Sequence, residues 1–168
     1  MAVGKAAYRV DEKDGSFEIR TYEPMVLAVS REIDLRGYSG FNVLFNYISG
    51  NNQDSKKISM TAPVLNKLDE QDLTTAFVMP PAYKHPDELP QPADPDLELR
   101  EIPTRRVAAI IFSGNTSRRL ISQKQAELLE WIKGRHLTSV GPIDLARYNP
   151  PFLPGFVKRN EILIEIKP

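Results

Sequence analysis

Seven of the chain's 14 prolines fall within residues 80–103, at positions 80, 81, 86, 90, 92, 95 and 103. No helix or central strand spans such a segment, because each proline fixes φ and removes a backbone donor. The segment is therefore expected to be an ordered surface crossover, with room for one short strand at residues 97–102. It divides the chain into halves in which the same order of elements recurs. Before it, periodicity predicts a strand over residues 26–33, a helix between 34 and 49, and strands at 57–64 and 74–79. After it come a strand at 106–113, a helix over about 117–133, and strands at 143–148 and 161–167. A hairpin around Asp14-Gly15 opens the fold, since residues 8–10 and 17–22 alternate apolar and polar side chains on either side of that turn.

Each helix has an apolar face. Phe41, Leu44, Phe45 and Ile48 recur at i, i+3, i+4 and i+7, and Gly50 follows as a left-handed C-terminal cap. Both Asp34 and Ser39 are suitable N-caps for this helix. Ile121, Leu128 and Ile132 form the stripe of the second helix, with Gly134 as its stop. The expected fold is α+β, with strand-helix-strand-strand twice over and one helix for each half. Expressed as domains, it is one domain over 1–168 with halves at about 26–79 and 106–167.

The segment Lys57-Ile58-Ser59-Met60-Thr61-Ala62-Pro63-Val64 reads as a strand with Ile58, Met60, Ala62 and Val64 on one face, interrupted where Pro63 ends or bulges the pairing. With Tyr47-Ile48-Ser49-Gly50-Asn51-Asn52 before it, and Tyr148-Asn149-Pro150-Pro151 and Arg159-Asn160-Glu161 near the end, it resembles the SOUL haem-binding protein family. The likeness runs over residues 8–166. It implies a distorted antiparallel β-barrel flanked by two helices, similar to bacterial effector-binding domains. It also implies haem or another planar tetrapyrrole as ligand, held by the first helix and the loop before the last strand. That assigns contact to Tyr38, Phe41, Phe45, Phe152 and Leu153. Met60 is the one residue of the strand motif that also remains a candidate contact.

The residues around this groove favour weak, mostly hydrophobic binding. The helix has no Lys or Arg after Arg36, so the cations nearest in sequence for propionates are Arg36, Lys56, Lys57 and Lys158. Strong axial ligands are scarce. Cysteine is absent, and His85 and His136 lie outside the segments the resemblance points to. A groove of this kind also suits an apolar helix or loop of a protein partner. A third possibility centres on Glu161. It is either a buried carboxylate with a raised pKa that meets a cationic effector, or a structural acceptor for Arg159 and Tyr148.

The remaining classes find little support. Lys plus Arg and Asp plus Glu each number 22, so the chain lacks the basic excess of a nucleic-acid binder, although a local patch can hide in a neutral total. There is no phosphate-binding glycine loop, no metal-ligand spacing and no nucleophile motif beside a histidine, so no enzymatic activity and no metal site are expected. Residues 1–8 show no secretory pattern and no apolar run approaches membrane-spanning length, so a cytoplasmic, soluble protein without a transmembrane segment is the expectation.

Overall fold

The computed structural model describes residues 4–32, 39–68, 73–150 and 152–168. The chain forms two compact units, one from Met1–Ala7 and Glu23–Thr104, the other from Tyr8–Tyr22 and Arg105–Pro168. The opening hairpin therefore belongs to the second unit although in sequence it lies between the two segments of the first.

In the first unit a short parallel pair joins β1 (Gly4–Lys5) to β5 (Thr61–Ala62). The main sheet is antiparallel, in the order β6 (Val64–Lys67), β7 (Thr74–Val78), β4 (Met25–Arg31) and β8 (Leu97–Ile102). Helix α1 (Ser39–Ile48) packs on β4 and β7. Around β8 the proline-rich segment is ordered, carrying a 3₁₀ turn at Pro86–Glu88. Leu89 and Leu97 from this segment reach the same apolar core as Val26, Leu44 and Phe77.

The proline of the strand motif acts as a switch between ladders. Thr61 and Ala62 pair with β1, and Val64 onward pairs with β7, across a cis Ala62–Pro63 bond. The expected two-faced strand over 58–64 is corrected accordingly. Residues 58–60 are outside any strand, and both Thr61 and Pro63 are buried along with Ala62. Two pairings of opposite direction in succession cover both faces, so simple alternation is lost.

The second unit orders β2 (Tyr8–Asp14), β3 (Phe17–Tyr22), β9 (Arg105–Phe112), β11 (Asn160–Ile166) and β10 (Ser139–Arg147), all antiparallel. Gly15 turns the β2–β3 hairpin at φ 60°, where only a residue tolerant of left-handed backbone sits without strain. Helix α2 (Arg118–Gly134) packs on β9 and β11 with Ile121, Leu128 and Ile132 buried. Ser117 caps it, accepting from Leu120 N at 3.1 Å. Its end differs from expectation: Gly134 stays helical and the left-handed residue is His136, at φ 56°. The backbone N–H groups of Arg135 and His136 satisfy the last carbonyls there, so no glycine is required. Strand-helix-strand-strand thus recurs as β4, α1, β6, β7 and as β9, α2, β10, β11, and the fold class is α+β.

Candidate functional site

Helix α1 is held at its start by a carboxylate from the strand before it. Glu32, at the end of β4, accepts from Ser39 Oγ at 2.7 Å, from Gly40 N at 3.1 Å, from Phe41 N at 3.3 Å and from Thr75 Oγ1 at 2.9 Å. A negative charge on the free N–H groups of a helix N-terminus is favourable both as hydrogen bonding and against the helix dipole. The clamp draws Gly40 so close that a Cβ there would lie 2.6 Å from the Arg31 carbonyl oxygen. This approach sets the rotation of the helix. Its buried residues are Gly40, Leu44, Tyr47 and Ile48, not the Phe41, Leu44, Phe45, Ile48 stripe that periodicity predicts. Tyr47 is anchored by donating to Pro90 O at 2.6 Å.

Phe41 and Phe45 are thereby turned toward the edge of the core. Phe41 meets Phe77 edge-on, with ring centroids 5.1 Å apart, and stacks on Phe45 at 6.1 Å. Phe45 is 50% exposed. Met60, half-buried, packs against the same core. The loop that brings Met60 there is organised by Asn52, whose amide donates to Tyr47 O and Lys56 O and accepts from Lys56 N. Ile58 N then bonds Ile48 O at 2.8 Å, tying the segment to the end of α1. Lys56 and Lys57 are exposed at the start of this segment. Phe41 and Met60 thus both pack against the core of the first unit and Phe45 stacks on Phe41, with Lys56 and Lys57 close to Met60 in sequence.

Phe152 and Leu153 belong to the second unit, in the loop between β10 and β11, and Phe152 is 82% exposed. Tyr38 and Arg36 lie outside the described residues. Both histidines are exposed, and His85 Nδ1 sits 3.1 Å from Glu101 Oε1.

Glu161 lies in a closed network inside the second unit. Its two oxygens take parallel bonds from Arg20 Nη1 and Nη2 at 2.7 and 2.8 Å, and it also accepts from Tyr148 Oη at 3.0 Å and Arg159 Nη2 at 2.6 Å. Arg20 is fully buried and donates as well to Glu18 and to Tyr22 Oη. Burial alone would raise the Glu161 pKa. The bonds from Arg20, and then Arg159, outweigh it and hold the carboxyl below its ordinary range. The raised-pKa reading of Glu161 is therefore corrected, and its expected partners Arg159 and Tyr148 are present. What the sequence reading missed is Arg20, which was placed on the polar side of an alternating hairpin strand. The available signal was Glu18, Arg20 and Tyr22 sharing one strand face as acid, base and phenol. The network pairs two carboxylates, Glu18 and Glu161, with two guanidiniums, Arg20 and Arg159.

The second unit also contains an open groove of about 710 Å³ between α2 and the β3–β9 ladder. Phe17 and Trp131, stacked at 5.0 Å, form its apolar wall, and Lys124, Glu127 and Glu130 edge it. None of the assigned contact residues lines it. Among the described residues no cluster of three or more His, Cys, Asp or Glu side chains is arranged to hold a metal ion, and no helix is long and apolar enough to cross a membrane.

Comparison with known proteins sets this geometry in context. The chain is similar to Heme-binding protein 2 of Mus musculus, 30% identical over 140 residues that make up 77% of this chain and 65% of that protein. It is likewise similar to Heme-binding protein 2 of Homo sapiens, 29% identical over 136 residues, 74% of this chain and 63% of that one. It thus spans just under two thirds of the length of these relatives. Among solved structures, the C-terminal domain of EcmrR superposes with a TM-score of 0.68 at 10% identity, covering 95% of this chain and 98% of that one. A hydrolase from Listeria innocua gives 0.63 at 9% identity, covering 94% of each. At such identities the likeness is one of fold alone. The profile of the SOUL heme-binding protein family matches residues 3–165, nearly the whole sequence, and the chain belongs to that family.

Proposed function

We propose that this protein binds haem or a related planar tetrapyrrole on the apolar surface of α1, without a strong fixed axial ligand, and that it is a binding protein rather than an enzyme. The observation that carries the reading is Phe45. In a member of a haem-binding family it stands half exposed on a helix, stacked on Phe41, which in turn meets Phe77 edge-on. A large aromatic group held in that position by a capped helix is a preformed wall for a flat apolar ligand.

The residues present suit the group. Phe41, Phe45 and Met60 supply apolar contact, and Lys56 and Lys57 are the cations for propionate carboxylates. When bound, haem supplies an iron centre and a conjugated ring with a strong visible absorption. The protein's part is to shield one ring face from water and to fix the carboxylates. Met60 is a soft sulfur in the neighbourhood and acts mainly as apolar filler. Tyr38, Phe152 and Leu153 are further contacts under the same reading, each to be tested by its own substitution.

Hemin titration tests the proposal. The intact protein is expected to give a shifted Soret band that saturates at one equivalent. Phe45→Asp is expected to weaken binding about tenfold or more, the worth of one large apolar side chain. Only the broad absorption of aggregated hemin with the intact protein would remove the reading. A shift that survives Phe45→Asp but disappears in Trp131→Ala would move the site to the groove beside α2.

A further inference from the structure

We propose that the loop between β10 and β11, together with the first turn of α2, forms a surface that docks on anionic lipid membranes. Phe152 and Phe156 are 82% and 81% exposed, and Val157 beside them is 49% exposed. Isolated exposed apolar residues are ordinary, but two aromatics and a valine within six positions are not.

These side chains are presented by a braced backbone. Gly155–Val157 is a 3₁₀ turn closed by Val157 N to Pro154 O at 3.1 Å and Lys158 N to Gly155 O at 3.0 Å. Gly114 N bonds Gly155 O at 2.9 Å, and a Cβ at position 155 would come within 3.1 Å of Asn115 N, so the loop lies tightly on the segment leading into α2. Lys158 Nζ reaches across to Asn115 Oδ1 at 3.0 Å.

Charge selects the partner. Residues 113–126 and 145–159 contain Arg118, Arg119, Lys124, Arg147, Lys158 and Arg159 and not one Asp or Glu, within a chain whose bases and acids number 22 each in all. Lys124 is matched by Glu127 and Arg159 by Glu161. Arg118 and Arg119 are exposed and have no ion-pair partner among the described residues. Protruding aromatic and aliphatic groups with cations alongside match the two layers of a membrane surface, acyl boundary and phosphate. Single-stranded nucleic acid shares the cations and the aromatics, but Val157 offers no stacking face, which favours lipid.

Sedimentation with vesicles tests this on the intact chain. Retention is expected on phosphatidylcholine vesicles containing phosphatidylserine, declining as salt rises, and not on phosphatidylcholine alone. Phe156→Ser is expected to weaken binding about tenfold, and Arg118→Gln and Arg119→Gln about fivefold each. All three positions are exposed, and unchanged thermal melting checks that the variants fold. Phe156 is outside the proposed haem contacts, so Phe156→Ser leaves the hemin titration unchanged and the two readings fail separately. Absence of retention, equal retention on neutral vesicles, insensitivity to Phe156→Ser, or binding of oligouridylate without binding of vesicles would each overturn the proposal.

Discussion

Glu161 and Arg20 show how a family signature can mark structure rather than ligand contact. Replacing Glu161 with Gln leaves the buried guanidinium of Arg20 with Glu18 alone as its carboxylate partner among the described residues, so the cost is expected toward the lower end of the about 3–5 kcal/mol for breaking a buried ion pair. The expected outcome is a correspondingly lower urea midpoint for Glu161→Gln. The triple variant Glu18→Gln, Arg20→Met and Glu161→Met is expected to recover much of the loss, since it also removes the buried carboxylate that Arg20 otherwise pairs with. A Glu161→Gln protein as stable as the parent would refute the structural role. Neighbouring signature residues act in the same way. Asn160 donates to Gly114 O at 2.8 Å, Asn149 accepts from Arg159 N at 2.6 Å, and Asn52 ties its own loop to the end of α1. The sequence made Arg159 and Tyr148 legible as partners of Glu161 because they are near it in sequence or share its motif. Arg20 is 141 positions away, and only the pairing of β3 and β11 on either side of β9 brings it close.

At the scale of elements, helices and strands were legible where one periodicity prevailed and not where two contacts competed. The α2 stripe of Ile121, Leu128 and Ile132 is buried as its spacing requires. In α1 the clamp from Glu32 outweighs the phenylalanine periodicity, turning Gly40 and Tyr47 inward and Phe45 outward. The partners of Glu32 lie on β7 and in the first turn of α1, and the capping signals in the sequence, Asp34 and Ser39, gave no hint of a carboxylate arriving from a strand. The clamp makes a definite prediction. Glu32→Ala is expected to cost about 1–2 kcal/mol as a lost cap, with the Thr75 hydroxyl losing the acceptor of its proton while its oxygen still accepts from Asn66 Nδ2 at 2.9 Å. Gly40→Ala should cost at least as much, because the added methyl meets backbone rather than a yielding side chain. Thermal unfolding of both variants measures this, and a Gly40→Ala protein of parental stability would show that the helix can withdraw from β4.

For the whole molecule, the ionisable groups buried in the two units bound the pH range of stability on both sides. Glu161 has its pKa held below the ordinary 4.5 in the folded state. Its contribution is therefore complete above about that value and is lost as pH falls through the lower folded pKa. On the alkaline side burial raises Tyr22 and Tyr47 to about 12 from an ordinary 10.0, and burial beside the Glu161 charge raises Tyr148 further. A phenol with a raised folded pKa keeps its proton when the unfolded chain has released it, so stability is intact below pH 10.0 and declines as pH rises beyond it. Glu161, Tyr22 and Tyr148 belong to the second unit and Tyr47 to the first, so the Glu161 share of the acid loss should arise in the second unit while the alkaline loss draws on both. Trp131, the chain's one tryptophan, reports on the second unit by its stack with Phe17. Its fluorescence is expected to follow the acid transition, and Glu161→Gln should flatten that limb and also weaken the alkaline one, since the Glu161 charge helps to raise Tyr148 and Tyr22 while Tyr47 is unaffected by it. Tyrosinate absorption from Tyr22, Tyr47 and Tyr148 should appear only above the ordinary tyrosine range, as the chain unfolds. A single step at the ordinary tyrosine pKa would mean that water reaches Tyr22, Tyr47 and Tyr148 in the native protein, and the buried network would lose its isolation from solvent.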